Sequence, residues 1–137
     1  MTIALEIISP ERLLLARQVS MVVIPGTEGD LGILPDHAKL ITSLRGGMID
    51  IYEDDEIIDR FFVSGGFAEV TGERCTVLAD QIMKLSEINP DEAARQLAQA
   101  ETDYRDVDES DGVAWRRASD QLITAQARVD ALAPEHR

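Results

Sequence analysis

The side chains that most often carry chemistry in proteins are few in this sequence. It has two histidines, His37 and His136, and one cysteine, Cys75. A histidine-rich metal site would need more, and a single cysteine forms no intramolecular disulfide. The motifs HExxH, GxSxG and CxxC do not occur. An enzymatic function would require another kind of site. A β-barrel enzyme with a helical appendage would need a pocket lined by convergent carboxylates such as Glu69 and Asp80.

Three glycines at intervals of three suggest a phosphate-cradling loop, in the segment Gly26-Thr27-Glu28-Gly29-Asp30-Leu31-Gly32. No Lys followed by Ser or Thr comes after it, and the carboxylates of Glu28 and Asp30 would repel a phosphate. We therefore predict a tight β turn with exposed acids. The acidic run 54–56 is likewise predicted to be a solvated hairpin tip and not an acid–base pair.

The 137-residue chain is strongly acidic, with a net charge of -13 and only 13 lysines and arginines. This balance argues against nucleic acid and against docking on an anionic membrane surface, and it favours partners with basic surfaces. No apolar run approaches the roughly 18–20 residues that span a bilayer. Residues 1–4 lack the features of a signal peptide. We expect the cytoplasm as the compartment, with any membrane association made through a partner and no direct insertion.

The first part of the chain, to about residue 86, has the pattern of a β domain. Seven short runs rich in Val, Ile and Leu are predicted as strands: Ile3–Ile8, Val19–Ile24, Lys39–Leu44, Met48–Tyr52, Ile57–Val63, Phe67–Val70 and Cys75–Ala79. Cys75 shares a strand face with Val77 and Ala79, and we predict a buried core thiol. Only 4% of residues are aromatic, so the core depends on aliphatic side chains. Strands of this spacing indicate a sandwich or barrel.

After Ile88 the periodicity changes to that of helices. Asn89 and Pro90 predict a helix start, and Glu92 completes the pattern of a capping box. Apolar residues at alternating steps of three and four predict two helices separated by an acidic loop over 106–112. They are Ala93, Leu97, Ala100, Tyr104 and Val107, then Trp115, Ala118, Leu122, Ala125, Val129 and Leu132. Pro134 is expected to end the second helix.

The two stripes predict an antiparallel helical hairpin over residues 87–137, attached to a β domain over residues 1–86. Its seam is rich in alanine, so the helices can approach closely but bury little apolar surface. A buried Leu or Val contributes roughly 1.5–3 kcal/mol and Ala much less, so a lone hairpin of this size is marginal. We expect it to lean on the β domain or on a partner and to be conformationally mobile.

Two blocks in the β part resemble the signature of ATP synthase epsilon subunits. The first is IPGTEGDLGILPDHAKLIT over residues 24–42, and the second is FVSGGFAEV over residues 62–70, followed by TVLAD at 76–80. With the helical hairpin, the resemblance covers essentially the whole chain. It implies a ten-stranded β-sandwich followed by two helices.

The resemblance also implies a non-catalytic rotor subunit of an F-type proton-translocating ATP synthase. Members sit on the central stalk, bind the gamma subunit and touch the polar loops of the membrane c-ring, on the cytoplasmic side of the bacterial inner membrane. The family presents the position of Asp30 to those loops, with His37 beside it. Glu28 and Asp30 would offer anions to a basic loop, while Leu31 and Ile33 anchor the turn. The alternatives are a solvated turn acid for Asp30 and a structural histidine for His37.

Some members bind ATP through an (Ile/Leu)-Asp-x-x-Arg-Ala motif at the start of the first helix. This chain has Ile88-Asn89-Pro90-Asp91-Glu92-Ala93, so Asn89 stands for the Asp and Glu92 for the Arg. Losing a guanidinium and gaining a carboxylate removes the phosphate partner and adds repulsion. We therefore predict no cofactor and weak or absent ATP binding.

The family's C-terminal helix can also extend into the catalytic head and inhibit ATP hydrolysis, with basic residues against an acidic segment of the beta subunit. From residue 87 onward this chain has 12 acidic residues and 6 arginines. Arg116, Arg117 and Arg128 are the available contacts, and we expect weak inhibition. The alternative to a rotor subunit is a free-standing soluble adaptor that uses the hairpin to bind a partner.

Overall fold

The computed structural model describes residues 1–133 as ten β-strands followed by two α-helices. The predictions for Pro134 and His136 lie outside the described residues. The strands are β1 (Ile3–Ile8), β2 (Leu13–Val19), β3 (Met21–Gly26), β4 (Gly29–Ile33), β5 (Leu40–Leu44), β6 (Gly47–Glu53), β7 (Glu56–Val63), β8 (Gly66–Val70), β9 (Arg74–Ala79) and β10 (Ile82–Lys84). A 3₁₀ turn, Leu85–Glu87, leads to α1 (Pro90–Asp106) and α2 (Gly112–Asp130). The domain boundary at residue 86 stays a prediction.

The strands form one curled sheet in the order β10-β7-β6-β3-β5-β8-β9-β1-β2, with β4 paired to β3. Neighbouring strands are antiparallel except β1 and β9, which run parallel. β3 meets β5 through one residue pair, Gly26 opposite Leu44, which lets the sheet bend there. The ten strands enclose a single core, as expected for the predicted β-sandwich.

The sandwich core is aliphatic, in agreement with the composition. The inward residues of β1, which are Ile3, Leu5 and Ile7, are fully buried, and so is Cys75 on the neighbouring β9. The outward residues of β1 stay partly exposed, which is the two-residue alternation of a sheet with one buried face. The prediction of a buried thiol at Cys75 is confirmed.

The strands β4 and β10 have no counterpart among the predicted strands, and β2 shares only Val19 with the predicted strand 19–24, most of which is β3. β2 is exposed over three consecutive residues and lacks a regular alternation. β4 is rich in glycine, and β10 has only three residues. Each of them pairs with a neighbour that has a strong strand pattern, so tertiary context and not local propensity determines them.

The first helix begins where its capping residues predict. The Asn89 side chain accepts a hydrogen bond from the Glu92 backbone N–H at 3.0 Å, and Pro90 is the first helical residue. The predicted capping box is wrong in its second half, because the Glu92 carboxylate pairs with Arg95 one turn further along α1. In α2 the Asp111 side chain accepts from the Ala114 N–H at 3.1 Å, which adds a cap that the sequence analysis did not identify.

The hairpin seam is built from alanine, as predicted. Ala93 and Ala100 of α1 and Ala118 and Ala125 of α2 are buried. Four of the predicted stripe residues differ. Tyr104 and Trp115 are more than a third exposed, with ring centroids 6.2 Å apart near the loop that joins the helices. Val107 and Leu132 lie just beyond the ends of their helices, because α1 stops at Asp106 and α2 at Asp130.

A second, smaller core joins the hairpin to the sandwich. Its buried members are Phe62 of β7, Ile88 and Ala93, and its partly buried members are Met48, Leu85, Ala127, Val129 and Leu132. At Gly46, between β5 and β6, α2 approaches so closely that an added Cβ would lie 2.8 Å from the Thr124 Cα atom. The hairpin therefore leans on the sandwich, as expected, and Gly46 leaves the room for it.

Candidate functional site

The acidic segment around Asp30 is a hairpin of two strands and not only a turn, which corrects the sequence interpretation. β3 and β4 pair so that Pro25 lies opposite Asp30 and Gly26 opposite Gly29. Thr27 and Glu28 form the turn, and Glu28 is exposed at its tip. Gly29 has a φ of 141°, a value that residues with a Cβ rarely adopt. Asp30 therefore lies on an edge strand, one residue beyond the turn.

The Asp30 carboxylate is exposed but paired within the chain. Its Oδ1 accepts a hydrogen bond from the Arg45 guanidinium at 2.7 Å, and the side chain is 62% exposed. A second guanidinium nitrogen of Arg45 donates to the Gly26 carbonyl oxygen at 2.6 Å. The sequence analysis did not identify Arg45, because its link to Asp30 joins residues that are 15 positions apart. Only its place beside two glycines in a turn could have drawn attention to it.

The apolar residues that follow Asp30 anchor its strand, as predicted. Ile33 is fully buried in the sandwich core, and the partly buried Leu31 packs against that core. The Leu31 side chain also lies close to Gly26, where an added Cβ would be 3.3 Å from the Leu31 Cδ1 atom. These two side chains therefore hold the charged end of the β3–β4 hairpin against the sandwich core.

His37 lies in the connection between β4 and β5 and makes local contacts. Its Nδ1 is 2.7 Å from the Ala38 carbonyl oxygen, and its backbone N–H donates to the Leu34 carbonyl oxygen at 3.2 Å. The preceding residue, Asp36, has a φ of 66° and donates its N–H to the Gly72 carbonyl oxygen at 2.8 Å. This loop is thereby tied to the β8–β9 turn, and these bonds link His37 to its loop and not to Asp30.

A row of exposed and partly exposed apolar side chains crosses the outer face of the sheet from β5 through β8 and β9 to β1, and the sequence analysis missed it. Phe67 is 56% exposed and Leu78, directly opposite it on β9, is 49% exposed. Ile8 of β1 lies next to Leu78, and Ile41 of β5, which is 74% exposed, is diagonal to Phe67. Side chains opposite each other in a sheet have Cβ atoms about 5 Å apart. We call these four residues the apolar row.

The three tail arginines differ in their surroundings. Arg116 and Arg117 are exposed near the start of α2. Arg128 is partly buried: its guanidinium lies over the Phe62 ring, 4.9 Å from the centroid, and donates to Gln96 Oε1 at 2.6 Å. Burial lowers the pKa of the Arg128 guanidinium below its ordinary value. With the hairpin docked, Arg128 already binds the sandwich and α1.

The start of α1 borders a pocket of about 360 Å³ between the hairpin and the sandwich. The charged residues of its lining are Glu87, Glu92 and Arg128, and its uncharged polar residues are Ser64, Gln81, Asn89 and Gln96. The Asn89 oxygen caps α1, and the Glu87 carboxylate accepts from the Lys84 N–H at 2.9 Å. The two carboxylates would repel a phosphate, and the one guanidinium of the lining is already stacked on Phe62.

The two carboxylates considered for an enzyme do not converge. Glu69 lies on the outer face of β8 opposite Thr76, whereas Asp80 follows the end of β9. Asp80 is four positions along the chain from Thr76, which is about 13 Å in extended backbone. Both side chains are exposed, so they do not line a common pocket.

No helix in the described part of the chain combines the length and the apolar character needed to cross a bilayer.

Comparisons with known proteins identify a family for the sandwich and relatives over most of the chain. The family described as "ATP synthase, Delta/Epsilon chain, beta-sandwich domain" matches residues 2–85. The chain is 51% identical over 128 residues to the ATP synthase epsilon chain of Granulibacter bethesdensis, covering 93% of this chain and 95% of the relative. It is 40% identical to the ATP synthase epsilon chain of Gluconacetobacter diazotrophicus, covering 96% of this chain and 93% of that one.

Solved structures share the fold. A chain in the mitochondrial ATP synthase of Euglena gracilis superimposes with a TM-score of 0.82 at 24% identity, covering 96% of this chain and 82% of that one. A chain in the central stalk and c-ring structure of the Tetrahymena thermophila mitochondrial ATP synthase gives a TM-score of 0.64 at 16% identity, with 93% and 97% covered. The sandwich followed by two helices is therefore a shared architecture.

Proposed function

Because the chain belongs to the ATP synthase epsilon chain family, we propose that it is a non-catalytic subunit of the central stalk that couples the gamma subunit to the c-ring of an F-type, proton-translocating ATP synthase. It acts on the cytoplasmic side of the bacterial inner membrane, peripherally and through its partners. The observation that carries this proposal is that the sandwich presents two chemically different exposed surfaces. One is the apolar row, and the other is the acidic tip of the β3–β4 hairpin.

The apolar row is the proposed contact for the gamma subunit. Exposed, contiguous apolar side chains mark protein interaction sites when they gather on one face. The row extends over four strands whose inward residues are buried in the core, so a partner meets a rigid surface. The docked helices cover β6 and β7 instead, which leaves the row free to bind gamma while the hairpin is folded down.

The acidic tip is the proposed contact for the polar loops of the c-ring. Glu28 and Asp30 are exposed there, and the chain as a whole carries a charge of -13. Such a surface attracts basic loops and repels acidic ones. Leu31 and Ile33 hold the tip to the core, so the torque of ring rotation would pass into the sandwich and from there into gamma.

We propose that the helical hairpin inhibits ATP hydrolysis only weakly and that it does so without binding a nucleotide. Carboxylates at Glu87 and Glu92 argue against ATP in the pocket beside α1. For inhibition through the beta subunit, Arg116 and Arg117 are exposed, whereas Arg128 must first leave Phe62 and Gln96. Both features support an inhibition weaker than that of members with basic tails.

Co-elution with purified gamma subunit on a sizing column tests the proposal. We expect a stable one-to-one complex with the natural chain and none with Phe67→Glu, because the contact would bury an unpaired carboxylate. Ala98→Glu makes the same charge change at an exposed position of α1 and should leave the complex intact. If the natural chain elutes alone beside folded gamma, the rotor function is wrong. If Phe67→Glu still co-elutes, gamma binds elsewhere.

A further inference from the structure

Arg45 ties the β5–β6 turn to both strands of the acidic hairpin. Its two terminal guanidinium nitrogens donate to the Gly26 carbonyl oxygen at 2.6 Å and to Asp30 Oδ1 at 2.7 Å. Its backbone N–H donates to the Pro25 carbonyl oxygen at 3.0 Å. One residue therefore bonds the last part of β3 through the backbone and the first part of β4 through a carboxylate.

The backbone that carries Arg45 has little freedom to move. A Cβ added at Gly46 would lie 2.8 Å from the Thr124 Cα atom of α2, and one added at Gly47 would lie 2.8 Å from the Pro25 Cβ atom. The turn is thus in close contact with α2 on one side and with β3 on the other. The guanidinium extends from this fixed support to the hairpin tip.

The strand that carries Asp30 needs such support. Within the described part of the chain β4 pairs only with β3, so its other edge has no strand beside it. Edge strands next to a turn open more readily than central ones because fewer hydrogen bonds and contacts hold them. Leu31 and Ile33 fix the interior side of β4, but the outward-facing carboxylate of Asp30 is held by Arg45.

We propose that Arg45 is a positioning residue, which orders the Asp30 carboxylate and the hairpin tip for a cationic side chain of the c-ring loop. This inference rests on the proposed contact between Asp30 and that loop. An ionised carboxylate has about four acceptor sites, and the Arg45 bond to Oδ1 leaves Oδ2 for the partner. Ordering Asp30 before binding removes an entropic cost, which for one side chain corresponds to about three- to tenfold in affinity.

The first test is made on the free chain by NMR. In the natural protein the Asp30 amide should have an order parameter near the rigid value of about 0.85. Arg45→Gln should lower this order parameter and shift the resonance of the Asp30 carboxyl carbon. Arg45→Lys keeps the charge but loses the two-branched donor, so its values should lie between those of the natural protein and of Arg45→Gln. Arg74→Gln, which removes the 3.3 Å ion pair with Glu6 on another part of the surface, is the control and should leave Asp30 unchanged. An Asp30 signal that is unaffected by Arg45→Gln overturns the proposal.

The second test is a double-mutant cycle in the complex. The full chain and its variants are titrated into ATP synthase membranes depleted of this subunit, and binding is measured. Arg45→Gln should weaken binding about three- to tenfold in the natural background and should have no further effect in Asp30→Asn. An equal loss in both backgrounds would show a general structural role, and tighter binding would show that Arg45 competes with the partner cation; either result overturns the positioning role.

Failure of the underlying function gives a different result. If Asp30→Asn binds as tightly as the natural chain, the assignment of Asp30 to the c-ring contact is wrong, and the positioning role is overturned with it. If Asp30→Asn weakens binding and Arg45→Gln does so additively, the contact stands and only the role of Arg45 is wrong. Thermal unfolding of each variant identifies those that have lost the fold.

Discussion

Burial at Cys75 raises the pKa of its thiol to about 12, because the charged thiolate would lie between apolar residues of β1 and β8. At pH 8 we therefore expect iodoacetamide to label the native chain far more slowly than the chain unfolded in urea. The ordinary pKa is 9.0, so an unfolded chain loses this proton first. The contribution of Cys75 to stability is thus complete below about pH 9 and declines as pH rises toward 12. Rapid labelling of the native chain would contradict the buried position.

Glu92 is the single residue that determines the expected affinity of the chain for ATP. Glu92 and Glu87 both line the pocket at the start of α1, so isothermal titration should show ATP binding no tighter than about 1 mM, or roughly -4 kcal/mol. Glu92→Arg replaces a repelling group by a phosphate donor and should tighten binding. Glu101→Arg makes the same charge change on an exposed part of α1 and should not. Sub-millimolar affinity of the natural chain would refute the prediction.

Among the elements, α2 depends on Gly46 for its position on the sandwich. Gly46→Ala would place a Cβ 2.5 Å from the Thr124 Oγ1 atom, so the helix must shift. Overpacking of this kind costs about 1–3 kcal/mol. We expect faster hydrogen exchange in both helices, which share the alanine seam, and little change in the β1 and β9 amides. Gly112→Ala, where an added Cβ meets no atom within 4 Å, is the matched control. Equal protection in both variants would show that the hairpin is not held at this point.

For the molecule as a whole, the sequence predicts those structural features that depend on local sequence patterns. Alternating strands, the Asn89 cap and the alanine seam were predictable because each depends on residues close in the chain. The bond between Arg45 and Asp30 and the stacking of Arg128 on Phe62 depend on how distant elements pack. The apolar row also depends on the pairing of separate elements, because Phe67 and Leu78 become neighbours only through strand register. The acidic residues Glu28 and Asp30 could be identified from the sequence, whereas the apolar row and the bonds of Arg45 and Arg128 required a structure.

The hairpin and the sandwich meet through a small second core, so removing the hairpin tests their separate roles. Truncation after Ser86 keeps all ten strands and should preserve co-elution with gamma. In the assembled catalytic head we expect ATP hydrolysis to rise less than about fivefold, the equivalent of roughly 1 kcal/mol. The physical reason is that a tail with 12 acids and 6 arginines would be repelled by the acidic segment of the beta subunit. In addition, Arg128 is held by Phe62 and Gln96. A much larger activation would show that Arg116 and Arg117 suffice for strong inhibition.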